Sequence, residues 1–146
     1  MIKFEFAGLN VMVNRLNRSM NRLQNDLQNN IIKEADFIEQ TSHRDAPKDT
    51  RWLVGSQYRK QESATNFYSE KIGFTAKYAP YQEFGTGNKV NLNGEYSEFQ
   101  DFAWKFKTYG LRKGGNRPKK YFLHNYIIAR KRLARKTSTM LKNIMK

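Results

Sequence analysis

The side chains that most often bind metals or act in catalysis are few and scattered in this sequence. The two histidines, His43 and His124, lie far apart, and neither has a second ligand at a metal-binding spacing. Glu98 and Asp101 form an i, i+3 carboxylate pair that could bind Mg²⁺, but such pairs are common on exposed helices. The chain has no cysteine, which excludes thiolate ligands, disulfides and a cysteine nucleophile. We therefore expect no metal site.

The remaining candidate motifs for chemistry are incomplete. Gly85-Thr86-Gly87 is followed by Asn88 and Lys89, which is not the spacing of a P-loop. Ser56 does not lie in a nucleophile-elbow motif. The sequence therefore predicts a protein that is not an enzyme, with no catalytic residue and no cofactor.

Charge is distributed unevenly along the chain. Among 146 residues there are 27 Lys or Arg and 13 Asp or Glu, a formal net charge of +14. Every acidic residue precedes Lys105, and basic residues balance them there, so residues 105–146 carry the whole excess. Such an excess indicates an anionic partner: nucleic acid, an acidic protein face or a membrane surface.

Length and hydropathy predict one folded domain over residues 1–146. Hydrophobic residues make up 38% and aromatic residues 14% of the chain, which is enough for a modest core and excludes a disordered basic tail. Neither a run of 18 apolar residues nor the apolar region of a signal peptide occurs. We expect a protein made in a cytoplasm, with no membrane contact.

Hydrophobic periodicity predicts an α+β domain. Residues 2–6 alternate as a short strand, and a long helix follows, with apolar side chains every three or four positions over 13–38. Residues 53–61 and 67–76 read as a hairpin, and a basic amphipathic helix runs from about 119 within the C-terminal segment 118–146. We expect a long N-terminal helix and a C-terminal helix packed on a small antiparallel β-sheet.

Asparagines recur along one flank of the long helix, at positions 10, 14, 17, 21, 25 and 29. They form either a solvated flank or a polar interface between subunits, since amides pair with each other at no charge cost.

Residues 88–117 form a long insertion that begins and ends with glycine and asparagine. A connection of this length is usually functional or disordered. Because its middle is aromatic, we expect an extended arm that docks on another molecule. Its candidate interface side chains are Phe99, Phe102, Trp104 and Phe106.

Two segments, taken in order, resemble a known family. The first is Ala46-Pro47-Lys48-Asp49-Thr50, followed by Leu53 and Ser56, and the second runs from Tyr78 to Gly87. With Arg117-Pro118 and Tyr121-Phe122-Leu123 opening the last helix, the chain resembles the head–tail joining or tail-completion proteins of long-tailed bacteriophages, also called neck or minor tail proteins. The likeness extends from Gly8 to the end. The residues that match its two main motifs are Ala46, Pro47, Asp49, Thr50, Tyr78, Glu83, Phe84, Gly85, Thr86 and Gly87.

The sequence departs from the family pattern in two motifs. Arg51 stands where the family usually has glycine, and Lys119-Lys120 separates Pro118 from the aromatic residue that usually follows it directly.

Elementary chemistry gives these motif residues structural roles. Asp49 and Thr50 can cap a turn, and Gly85 and Gly87 permit positive φ. Glu83 is the one charge in an apolar stretch and needs a partner, for which we predict Arg51 or Arg117. We expect the motif to build the fold rather than a site.

The resemblance implies a structural virion protein, made in the bacterial host cytoplasm and located in the virion neck. It would form a homo-oligomeric ring of six or twelve copies around the DNA path, between head connector and tail tube. It would touch connector or head-completion proteins and tail-terminator or tail-tube proteins. The basic residues predicted to face genomic DNA or an acidic partner are Arg112, Lys113, Arg117, Lys119, Lys120, Lys131, Arg132 and Arg135.

Composition alone leaves a second interpretation open. The chain could be a small monomeric DNA- or RNA-binding module that acts through its basic C-terminal segment, although its cations are spread along the helix rather than clustered.

Overall fold

The computed structural model describes residues 9–48, 52–64, 67–90, 92–107 and 115–144. The helices and strands are α1 (Leu9–Asp45), α2 (Trp52–Gly55), β1 (Gln57–Ala64), β2 (Phe67–Phe74), α3 (Ala79–Phe84), α4 (Gln100–Trp104) and α5 (Leu123–Ile144). Two 3₁₀ turns, Gly87–Lys89 and Gly94–Phe99, precede α4. The predicted α+β class, with two long helices and a two-stranded antiparallel sheet, is confirmed. The predicted strand at 2–6 lies outside the described residues.

The predicted hairpin is present with a later start. β1 and β2 pair antiparallel from Gln57 opposite Phe74 to Ala64 opposite Phe67. The prediction that the first strand begins at Leu53 is wrong, because Leu53 lies in α2 and is 1% exposed. The Ser56 N–H donates to the Leu53 carbonyl at 3.1 Å, which closes a helical turn before the strand starts.

The last helix begins at Leu123, four residues later than predicted. The backbone N–H groups of Lys119 and Lys120 donate to the carbonyls of Gln82 and Glu83, at 2.9 and 3.3 Å. These residues therefore pair with α3 instead of opening α5.

Helices α1 and α5 pack antiparallel in a single register. As the residue number on α1 rises along the contact, the residue number of its partner on α5 falls by about the same amount. The contacting pairs are Asn30–Met140, Glu34–Lys136, Phe37–Arg132 and Asp45–Asn125. Continuing the register by four residues places Ile144, where α5 ends, opposite Asp26. Since α1 has 37 residues and α5 has 22, the N-terminal part of α1 extends beyond α5.

The insertion is folded against the core in its described part, residues 88–90, 92–107 and 115–117. Val90, Leu92 and Ala103 are buried in one cluster with Ile127 of α5. The expectation of an extended arm is therefore wrong for this part, because these apolar side chains cover the face that α5 turns away from α1. Of the four predicted interface side chains, Phe99 and Phe106 are half-buried, whereas Phe102 and Trp104 are exposed.

Candidate functional site

The segments that carry the family resemblance meet at the start of α5. Ala46 and Leu53 of the first segment, Ala79 of the second and Tyr121 of the third form one buried cluster. Phe74 of β2 packs edge-to-face on Tyr121, with ring centroids 5.2 Å apart. We call residues 79–87 and 115–123 the α5 junction.

Glu83 caps α5 from within the α5 junction. Its side chain is 5% exposed, and its two carboxylate oxygens accept hydrogen bonds from the backbone N–H groups of Leu123 at 2.7 Å and Phe122 at 3.0 Å. The first N–H groups of a helix lack intrahelical partners and carry partial positive charge, so a carboxylate there satisfies both needs. Among the described residues, the hydrogen-bond partners of Glu83 are these backbone groups, and Arg117, one of the two predicted partners, is exposed. Arg51, the other, lies outside the described residues, so its pairing with Glu83 stays a prediction.

Burial raises the pKa of the Glu83 carboxyl above its ordinary value. The hydrogen bonds from Phe122 and Leu123 and the nearby charge of Lys120 act in the opposite direction, without cancelling the effect of burial. The folded protein therefore binds a proton at Glu83 more readily than the unfolded chain does.

Gly85 lets the second motif approach the chain that leads into α5. Its φ is +76°, and a Cβ there would lie 2.5 Å from the Asn116 carbonyl oxygen and 2.9 Å from Pro118 Cδ. Thr86 and Asn116 bind each other twice: the Thr86 N–H donates to the Asn116 carbonyl and the Asn116 N–H to Thr86 Oγ1, both at 2.9 Å. Gly87 also has positive φ, so the prediction for both glycines is confirmed.

The other motif residues lie around this contact. Ala46, Phe84, Thr86 and Gly87 are buried, Pro47 is half-buried, and Tyr78 is 37% exposed. Asp49 and Thr50 lie outside the described residues, so their predicted capping role stays a prediction.

An apolar cavity of about 430 Å³ adjoins the α5 junction. Its walls come from β2, α3, the insertion and α5, and they include Phe74, Phe84, Phe99, Phe102, Phe122 and Tyr126, with Glu83 at one side. Because the Glu83 oxygens are already engaged with backbone, the cavity offers apolar contact rather than acid–base chemistry.

The predicted catalytic and metal-binding candidates are not brought together. His43 is exposed, and Nδ1 of His124 lies 2.7 Å from the Tyr96 hydroxyl. Glu98 forms an ion pair with Arg130 at 2.7 Å. Within the part of the chain that the structure describes, no three His, Asp or Glu side chains are grouped so that they could hold a metal ion.

Several cations of α5 are engaged inside the chain. Arg130 pairs with Glu98, Lys131 with Glu95 and Lys136 with Glu34. These carboxylates come from the insertion and α1, so the charge imbalance along the sequence is partly offset in three dimensions. The exposed pairs among these add little stability, because water screens the charges.

The cations predicted to contact DNA or a partner fall into three groups. Lys131 is in the pair described above, Arg132 lies over the Phe37 ring at 4.3 Å, and Lys120 over the Tyr96 ring at 4.1 Å. Lys131 and Arg132 are exposed despite these contacts, as are Arg117, Lys119 and Arg135. Arg112 and Lys113 lie outside the described residues.

Sequence reasoning missed the link between α1 and the sheet. Arg59 of β1 binds Asp36 at 2.5 Å and Glu39 at 3.0 Å on α1, and Glu70 at 2.9 Å on β2. These carboxylates hold the pKa of Arg59 above its usual range. The available signal was an acidic i, i+3 pair, Asp36 and Glu39, beside the apolar face of α1.

None of the helices in the described ranges is long and apolar enough to cross a membrane. Comparison of the chain with protein-family models, curated proteins and solved structures gives no match.

Proposed function

We propose that this protein is a structural subunit of the neck of a long-tailed bacteriophage. It assembles as a ring of six or twelve copies between the head connector and the tail tube. The observation that carries the proposal is the meeting of three motif segments at the α5 junction. In the fold, Ala46, Leu53, Ala79 and Tyr121 of these segments share one buried cluster, as segments of a single family motif would.

Exposed aromatic side chains support an assembly role. Trp52 is 77% exposed, Trp104 56%, Phe67 55% and Phe102 47%, and they belong to three elements of the fold, α2, α4 and β2. Aromatic residues are enriched in protein–protein interfaces, and extended apolar surface marks contact sites. A subunit that touches neighbours within a ring, above it and below it needs contact surfaces on several sides.

The internal ion pairs of α5 favour assembly over a module dedicated to phosphate binding. Lys131 and Arg132, two of the cations such a module would use, are exposed but already contact Glu95 and the Phe37 ring. Arg117, Lys119 and Arg135 keep exposed charge for non-specific contact with the genome or with an acidic neighbour.

The proposal is tested by measuring mass and shape with and without DNA. Light scattering coupled to gel filtration, followed by negative-stain electron microscopy, should give rings with a central opening. Their mass should change little with salt, because apolar contacts are not screened.

One result would overturn the proposal and establish the alternative. That result is a monomer at every concentration that binds short duplexes at low salt and releases them steeply as salt rises.

A further inference from the structure

The N-terminal part of α1 presents an apolar stripe that α5 does not reach. Val13 is 45% exposed, Leu16 56% and Met20 62%, while Leu23 and Leu27 are half-buried. The antiparallel register brings the end of α5 opposite Asp26, which explains why exposure begins on the N-terminal side of that position.

The stripe has the spacing of a coiled-coil seam. Val13, Leu16, Met20, Leu23 and Leu27 follow one another at intervals of three, four, three and four residues. A strict alternation of three and four is the a/d pattern of the heptad, which keeps one narrow line of side chains facing a second helix. We call these five residues the α1 seam.

The positions beside the α1 seam carry no charge where it is most exposed. Asn17, Ser19 and Gln24 occupy the flanking e and g positions, whereas Arg15, Arg18 and Arg22 lie at c and f, away from the seam. Asp26, at the g position beside the half-buried Leu27, is the one charged residue that flanks the seam. Over residues 13–24, two copies of this helix can therefore approach without like charges meeting. Amide and hydroxyl side chains can hydrogen-bond across the contact.

A groove extends the α1 seam toward the hairpin. It has a volume of about 370 Å³ and lies between Met20, Leu23, Leu27 and Ile31 of α1 and the tip of the hairpin at Ala64 and Phe67. A helix seated on the seam would also cover Phe67, which is 55% exposed.

The narrow width of the seam favours a second helix over a lipid surface as the occupant. A strict a/d line of apolar side chains is the seam of a coiled coil, whereas a helix in a membrane interface buries a broader apolar face. Arg15, Arg18 and Arg22 lie on the polar side of the helix and are compatible with either occupant.

We propose that the α1 seam packs against the α1 seam of a second copy of this chain as a two-helix coiled coil. The inference rests on the homo-oligomeric assembly of the proposed function and names one contact between its copies. Because identical surfaces meet, this contact pairs copies about a two-fold axis, so it fits a ring of twelve built from six such pairs.

The first test compares two variants with the same charge change. Leu16→Glu places a carboxylate in the seam, and Asn25→Glu places one at an exposed f position on the opposite side. In analytical ultracentrifugation, Leu16→Glu should raise the dissociation constant between copies about 100-fold or more, whereas Asn25→Glu should behave like the parent. Circular dichroism checks that both variants keep their helices, as expected for exposed positions.

The second test uses the absence of cysteine in the parent chain. A short bismaleimide should cross-link Met20→Cys between copies and leave Asn25→Cys as single chains. In parallel, flotation with phosphatidylserine vesicles measures whether the protein binds a lipid surface instead.

The outcomes separate this inference from the proposed function. Rings that persist unchanged in Leu16→Glu would overturn the seam contact and leave the neck role standing. A Met20→Cys protein that stays uncross-linked, because residues 1–8 cover the seam or because it floats with vesicles, would also overturn the seam contact. A monomer that binds duplex DNA would overturn both.

Discussion

The α5 junction and the α1 seam use different physical means for different purposes. In the α5 junction, Glu83, Gly85 and Thr86 meet individual backbone groups of residues 116–123, and the contact is closed to solvent. In the α1 seam, Leu16 and Met20 keep more than half of their surface exposed and make no comparable polar contact within the described chain. The comparison shows that directional hydrogen bonds hold the α5 junction together, whereas the α1 seam exposes apolar surface, whose contacts have no preferred direction.

Among the substitutions that test this comparison, Gly85→Ala is expected to have the largest effect on stability. The new Cβ would collide with the Asn116 carbonyl at 2.5 Å, and alanine disfavours φ of +76°. We expect the free energy of unfolding to fall by more than about 3 kcal/mol, measured by urea denaturation.

Gly55→Ala is the matched control for that change. Gly55 ends α2 and has no atom within 4 Å of an added Cβ. The Gly55→Ala substitution should leave the free energy of unfolding unchanged or raise it by up to about 1 kcal/mol. Equal effects of the two substitutions would contradict the close approach at the α5 junction.

Glu83→Gln should have an intermediate effect that depends on pH. The amide NH₂ would face one of the two backbone N–H donors, which costs about 1–2 kcal/mol. Since burial raises the pKa of Glu83, the native state of the parent binds more protons than the unfolded state above pH 4.5, the ordinary value. The stability of the parent should therefore fall as pH rises through the interval between 4.5 and the raised pKa.

The difference in stability between the parent and Glu83→Gln should accordingly shrink as pH rises across this interval. Thermal melts at a series of pH values measure it. A difference that grows with pH would mean that ionised Glu83 stabilises the junction more than protonated Glu83 does.

Leu16→Gln is expected to have the smallest effect on stability when the copies of the chain are dissociated from one another. Because Leu16 is 56% exposed, the substitution should change the free energy of unfolding by no more than about 0.5 kcal/mol. Leu53→Ala, at a position 1% exposed, should cost about 2–5 kcal/mol in the same urea titration. A large loss in Leu16→Gln would place the seam inside the fold and remove the contrast.

Local patterns in the sequence were sufficient to predict the class and the long elements. The three-and-four spacing over 13–38 predicts α1, and two alternating runs predict the hairpin. Leu53 was misassigned because a short apolar run such as Trp52–Gly55 fits a strand and a buried helical turn equally well.

The contacts that position the candidate site depend on residues far apart in the chain. An isolated Glu83 indicates that a partner is needed, but not that the partner is the backbone of Phe122 and Leu123. In the same way, the aromatic content of the segment 96–109 predicts docking without saying that its described part, residues 96–107, packs on α3 and α5 of the same chain. The pairing of Glu34 with Lys136 spans 102 positions and leaves no local signature.

The antiparallel pairing of α1 and α5 has a consequence for synthesis. Its contacts join residues 80 to 110 positions apart, so the face of α1 that packs on α5 stays uncovered until α5 has been translated. At typical elongation rates this interval lasts roughly 4–22 s, long compared with the microsecond formation of a helix. During this time the nascent chain exposes a long apolar helix on the ribosome, where chaperone binding or premature association with a neighbouring nascent chain competes with folding.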